Sequence, residues 1–139
     1  MWNELKSNDD IELFMKKYGN FHDSCIREFN YVSGAYVNKD CSMFPINSKK
    51  ELSIIFQRQC KDIMNIQLVF CGLKSLNFVP SIPNFEAIIS KVCMKIIGDD
   101  LYWCVDCGFN LACTKDLWFN SNYTWLCCEW AKWRTIDID

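Results

Sequence analysis

The chain has 139 residues, half of them apolar, with a formal charge of −2 and a single histidine. That length fits one domain, residues 1–139, with a core large enough to need no disulfide or metal staple. The Lys and Arg residues are scattered, so no basic footprint for nucleic acid exists.

The chain opens without a signal peptide: Met1-Trp2-Asn3-Glu4-Leu5-Lys6-Ser7 lacks an apolar stretch, and acids follow at once. No apolar run approaches the ~20 residues that a membrane span needs. The expectation is a cytoplasmic protein with no membrane contact. In a reducing compartment the ten cysteines read as thiols rather than as a disulfide framework.

The first predicted element is a helix. Ser7 is its N-cap and Asp10 stands at the third position, an acidic capping box. Asp9 and Asp10 favour the positive end of the dipole, and Lys16 and Lys17 the negative end. Ile11, Phe14, Met15 and Tyr18 form one apolar stripe, and Gly19 supplies the stop.

After Ser24 the hydrophobic period changes to two. Cys25 to Val37 reads as one or two strands broken at Ser33-Gly34, and Lys39 to Lys50 as a loop. Leu52 to Gln59 alternates as a strand. Ile66, Leu68 and Phe70 alternate next; Gly72 interrupts, and Leu76 and Phe78 resume, which predicts a bulge or bend. Pro80 to Asn84 is a loop, Phe85 to Ile97 a strand, and Gly98-Asp99-Asp100 a turn into the return strand Leu101 to Cys107. Gly108 to Asn122 is polar and irregular, with room for a short helix at Thr114 to Phe119. Tyr123 to Ile136 is a last strand. No strand–helix alternation occurs, so a parallel sheet is not expected. The predicted class is α+β: an N-terminal helix followed by a mainly antiparallel sheet of about six strands, curved or half-barrel-like, with the helix packed on the sheet or plugging one end.

Four constellations bear on function. Cys104 and Cys107 form a C-x-x-C pair, but a redox pair needs its first thiol at a helix N-terminus, and here a strand leads in. Zinc would need four ligands, with Cys127, Cys128 or Cys113 completing the set. Neighbouring Cys127 and Cys128 should point to opposite faces. A zinc- or thiol-based protein using Cys104, Cys107 and Cys127 is the alternative reading; the leading one has no metal and no cofactor. His22-Asp23-Ser24 carries hydrolase residue types, yet triad members meet through the fold, not along one extended run, and no nucleophile elbow is present. The expected role of His22 is to bond backbone or Asp23 and hold the turn that Phe21 anchors. Finally, Trp118, Trp125, Trp130 and Trp133 form an aromatic cluster; without basic company it reads as core plus a protein-binding patch.

Phe21-His22-Asp23-Ser24 leading into a strand, the alternating strand Leu52 to Gln59, the run Ile66 to Leu76 with its Phe70-Cys71-Gly72-Leu73 step, and the final Trp130-Ala131-Lys132-Trp133-Arg134 together resemble a family of small bacterial proteins. The family includes predicted immunity proteins of polymorphic toxin systems and many uncharacterised members. The resemblance spans roughly residues 18–134, with Cys25 where such sequences often carry an acid. It implies a non-enzymatic protein-binding module, an immunity-type inhibitor of a toxin, with Phe21, His22, Asp23, Ser24, Trp125 and Trp130 as candidate binding residues. It leaves the partner's identity and the oligomeric state open.

Overall fold

The computed structural model describes residues 1–80, 86–105 and 122–138. The capping box predicts the helix start correctly: α1 spans Asn8–Lys17, the Asp10 amide donates to the Ser7 hydroxyl, and the Ser7 and Lys6 amides donate to the Asp10 carboxylate. Those bonds, the one from Lys6 first, hold the Asp10 carboxyl below its ordinary range. Ile11, Phe14 and Tyr18 are buried and Met15 is half-buried, so the expected stripe faces the core.

A three-residue strand, β1 (Asn3–Leu5), precedes the helix. The sequence gives no alternation long enough to reveal it. The other strands are β2 (Ser24–Val32), β3 (Tyr36–Val37), β4 (Met43–Phe44), β5 (Glu51–Arg58), β6 (Asn65–Asn77), β7 (Val92–Ile97), β8 (Asp100–Val105) and β9 (Trp125–Thr135). The main sheet has seven strands in the order β2-β5-β6-β9-β8-β7, with β1 added on β9. Every pairing is antiparallel. β9 organises the sheet. One of its sides pairs with β6 along its whole length; the other is shared, with β8 on Trp125–Cys128 and β1 on Ala131–Trp133. The protein is therefore largely sheet with a single α-helix among the described residues, and the sheet does not close.

Two expectations need correction. Lys39 to Lys50 is not all loop: β4 pairs with β3, and the two make a separate hairpin, residues 36–44. Its apolar side chains cannot reach the core, which is why the period of two faded there. The strand expected from Phe85 starts only at Val92; residues 86–91 bridge to β2 through Ile89 alone. The stretch Cys25 to Val37 does hold two strands, β2 and β3, broken at Ser33-Gly34 as expected. The loop at Ser81–Asn84, residue Phe85, and the stretch 106–121 with its possible helix lie outside the described residues.

Gly72 behaves as its position in the pattern predicts. It has φ +67°, and β6 shifts register between Leu73 and Ser75. Before Gly72 the residues Ile66, Leu68 and Phe70 face the core; after it Leu73 and Leu76 pack against it. The bulged Lys74 pairs with Asp100. The core is aromatic: Trp103 is fully buried, with Phe21, Phe56 and Phe70 around it at 6.0, 5.6 and 5.7 Å between ring centroids. Its indole N–H is the one buried side-chain donor without a hydrogen-bond acceptor among the described residues. It is enclosed by rings that can offer only a weak N–H to π contact.

Gly34 and Gly98 separate two costs of adding a side chain. Both have positive φ, +97° and +64°. A Cβ at Gly98 meets nothing within 4 Å, whereas one at Gly34 meets the Lys49 amide nitrogen at 2.6 Å. That amide donates to Ser33 and closes the base of the hairpin. Gly98→Ala should cost about 1 kcal/mol of unfolding free energy from backbone strain alone, and Gly34→Ala measurably more, about 2–3 kcal/mol. Urea titration of the two variants checks the order.

Candidate functional site

The step from helix to sheet is built on left-handed backbone. Gly19, Asn20 and Phe21 have φ of +59°, +54° and +64°, and Asp23 has +59°. Gly accepts this freely and Asn and Asp tolerate it, but for Phe21 it costs about 1–2 kcal/mol. Burial outweighs that cost. The Phe21 ring is wholly buried, edge-on to Phe14, Tyr18 and Phe56 at 5.7, 5.0 and 4.9 Å. Burying a Phe contributes about 1.5–3 kcal/mol, and each aromatic pair about 0.5–1.5 more.

Other groups lock the same corner. The buried Ser24 hydroxyl donates to the Phe21 carbonyl. The Asp23 amide donates to Ile89 at 3.1 Å, and the Ile89 amide to Ser24 at 2.8 Å. Arg58, which the sequence pattern does not single out, caps the helix end. Its guanidinium donates to Lys17 at 3.2 Å and to Ile63 at 2.6 Å, and sits 4.6 Å over the Tyr18 ring.

The four consecutive residues therefore split two and two. Phe21 and Ser24 point inward; the His22 and Asp23 side chains point out, 67% and 57% exposed, with Nδ1 to Oδ2 at 3.2 Å. This corrects the expectation that the His22 side chain holds the turn. The His–Asp contact exists, but a pair this exposed contributes little, and the turn is held from beneath. Nor is the triad geometry present. Ser24 spends its hydroxyl on backbone, and among the described residues no hydroxyl or thiol bonds His22.

The tryptophans also separate. Trp125 and Trp133 are buried, Trp130 is half-buried, and Trp118 lies outside the described residues. Trp130 belongs to the face of the sheet turned away from the core, since its neighbours Ala131 and Trp133 point into the core. Next to it Lys132 and Arg134 lie 4.7 and 4.3 Å from the ring of Trp2, and Lys6 lies 4.7 Å from the ring of Trp130. Two indoles and three cations thus interleave across β1 and β9. Polar bonds continue the face across the sheet, from Arg134 to Gln67 at 2.9 Å and from Gln67 to Ser53 at 2.9 Å. A third surface is the hairpin, where Tyr36, Val37 and Met43, with nearby Ile46, are each more than half exposed. At the other end of β2, Ile26, Phe78, Val79, Ile88, Ile89 and Val105 line a cavity of about 330 Å³.

The cysteines show no ligand set among the described residues: no three of His, Cys, Asp and Glu are arranged to hold a metal ion. Cys104 and Cys127 are both buried, in a small cluster with Tyr102 and Trp125 on the face away from the main core. Cys128 faces the main core, so the neighbours Cys127 and Cys128 do point to opposite sides. Cys107 and Cys113 lie outside the described residues. Cys25, Cys41, Cys60, Cys71, Cys127 and Cys128 are free thiols. Burial pushes the Cys71 thiol up to about 11, against the nearby Lys132, and raises Cys128 and Cys127 as well.

The chain matches no protein-family profile, no curated protein and no solved structure. No helix among the described residues is long and apolar enough to cross a membrane.

Phe21→Ala should cost about 3–5 kcal/mol, because it removes the ring that holds the left-handed turn. His22→Ala should stay within about 0.5 kcal/mol of the native chain. Denaturant melts of both variants decide whether the buried ring or the imidazole fixes the corner.

The thiols predict the alkaline limb of stability. Folding holds Cys71 neutral up to about 11, against an ordinary value of 9.0. A raised folded pKa means that the stabilisation is complete below pH 9 and is lost as pH climbs from 9 through 11. The thermal midpoint should fall across that window, and Cys71→Ala should flatten part of the fall.

Proposed function

We propose that this chain is a non-enzymatic protein-binding module of the bacterial cytoplasm, an immunity-type inhibitor that binds and silences a toxin protein. The observation that supports this reading best is the open sheet face of Trp2, Lys6, Trp130, Lys132 and Arg134. Trp and Arg are the side chains that most often dominate the energy of protein interfaces. Here both indoles are already flanked by cations, so little side-chain freedom is lost when a partner settles on them. An antiparallel sheet can keep one face on the core and leave the other wet, and the wet face here is the one that holds this ladder. The motif Phe21-His22-Asp23-Ser24 and the strands after it, which resemble immunity proteins, supply the second strand of support. In this reading Phe21 and Ser24 set the corner, Trp125 belongs to the scaffold, and Trp130 contacts the partner. His22 and Asp23 stand at the surface for a neighbouring protein.

The test is co-expression with the product of the adjacent gene in the source genome. Rescue of growth and a stable complex are expected. Trp130→Ala should weaken that complex at least about thirty-fold, the scale of an interface hot spot, with the thermal midpoint unchanged. A neighbour that is not toxic, or a complex indifferent to both Trp2→Ala and Trp130→Ala, would sink the assignment.

A further inference from the structure

The two edges of the sheet are treated differently. At the β7 edge the Asn8 side chain donates to the Ile96 carbonyl at 3.1 Å and accepts from the Ile96 amide at 2.9 Å. The first turn of α1 therefore caps that edge at Ile96. At β2 only the first residues are covered, through Ile89. From Arg27 to Val32 the outward backbone groups have no partner among the described residues, and Arg27, Glu28, Asn30, Tyr31 and Val32 are exposed. This stretch holds neither Pro nor Lys, the residues that usually keep an edge from pairing.

We propose that β2 pairs with β2 of a second copy of this chain, antiparallel, about a two-fold axis that passes between Arg27 and Glu28.

The charge pattern argues for that occupant and that register. β2 shifts register against β5 between Ile26 and Glu28, so Arg27 is the extra residue of a bulge. Arg27 donates to Gln57, and Glu28 stands opposite Ile55. Gln57 and Ile55 both alternate with the core residues Ile54 and Phe56, so Arg27 and Glu28 share the outer face. A self-paired interface must be its own complement. With the axis between them, each Arg27 faces the other copy's Glu28, and two opposite-charge pairs form at once. On the inner face Ile26 then stands opposite Phe29, both of which pack against the core. An axis through Glu28 would set two carboxylates against each other, and an axis through Arg27 two guanidinium groups; like charges directly opposite are destabilising.

The same register pairs Cys25 to Asn30 of each copy and ends there, because Ile89 already bonds the outward groups of Asp23 and Ser24. Tyr31, Val32 and the root of each hairpin, Ser33-Gly34, then turn aside next to the other copy's Ile89. Stable interfaces bury about 800 Å² per partner, more than one short strand edge provides. The exposed Tyr36, Val37 and Met43 of each hairpin, and the exposed Phe78, Val79 and Ile88 at the opposite end of β2, are the apolar surface available to make up the difference. The open face of Trp2 and Trp130 stays free, so this inference does not depend on the toxin-binding reading.

Sedimentation equilibrium of the full chain tests it. The wild type should be a dimer at about 10 μM; Arg27→Glu and Glu28→Arg should each weaken association at least tenfold. The charge swap Arg27→Glu/Glu28→Arg should restore it, with near-ultraviolet dichroism reporting that each variant is folded. Amide exchange needs no variant: the outward-facing amides of residues 25–30 of the wild type should exchange more slowly as concentration rises. A wild type that is monomeric at about 100 μM overturns the proposal. So does a dimer that tolerates both single reversals, or a swap weaker than either. An edge whose amides are protected only by another protein's strand overturns it too.

Discussion

Phe21 is the side chain on which the arrangement rests. It sits at the junction where α1 leads into β2, in a backbone conformation that a phenylalanine avoids, and its ring joins residues from helix and sheet. Phe14 comes from α1, Tyr18 from its C-cap, Phe56 from β5 and Trp103 from β8. One ring thus ties elements far apart in sequence. The left-handed turn is affordable because so much aromatic surface closes over it. The tie also decides where the chain goes next: Ser24 enters β2 with its hydroxyl bonded back to Phe21, and Ile89 fastens the far side of the sheet to the same point.

From that constraint follows the division of labour along the motif. Neighbouring side chains on an extended chain point to opposite faces, but the positive φ at Phe21 and Asp23 changes the parity. Phe21 and Ser24 go in, and His22 and Asp23 come out between them. The residue types suggested chemistry; the backbone makes the outer pair a surface feature and the inner pair a hinge pin. The proposed function rests instead on the indole–cation ladder of β1 and β9, whose side chains already contact one another.

What could be read from the residues, and what could not, has a physical pattern. The helix was legible because capping, dipole charges and the apolar stripe all lie within one local segment. Gly72 was legible because a period of two breaks visibly around it. The β7–β8 turn at Gly98 was legible for the same reason. β1 was not, because three residues carry no period and are held only by pairing with the C-terminal end of β9. The hairpin of β3 and β4 was not, because its apolar residues alternate with nothing buried. Arg58 could not be found as a cap: it ends a strand, and only the fold brings it to the end of α1. Of the proposed site, the sequence singled out Phe21 to Ser24 and Trp130 as candidates but assigned the turn to His22, since exposure is not written in a motif.

The unequal edges are the last consequence of the topology. The strand order places β2 and β7 at the two margins, and the N-terminal helix can reach only one of them. Asn8 pairs with Ile96 there. The residues between β2 and β5 fold away as the hairpin of β3 and β4, and the outward backbone groups of residues 27–32 have no partner among the described residues. An unprotected edge that is nonetheless patterned, with opposite charges on one face and Ile26 and Phe29 on the other, differs from one that is merely open. A generic sticky edge would carry a longer apolar run and no charge to fix a register. Here the bulge at Arg27 spoils pairing with any long regular strand, while a strand with the same bulge at the same place meets it in kind. Selectivity for its own copy is therefore built into the irregularity itself.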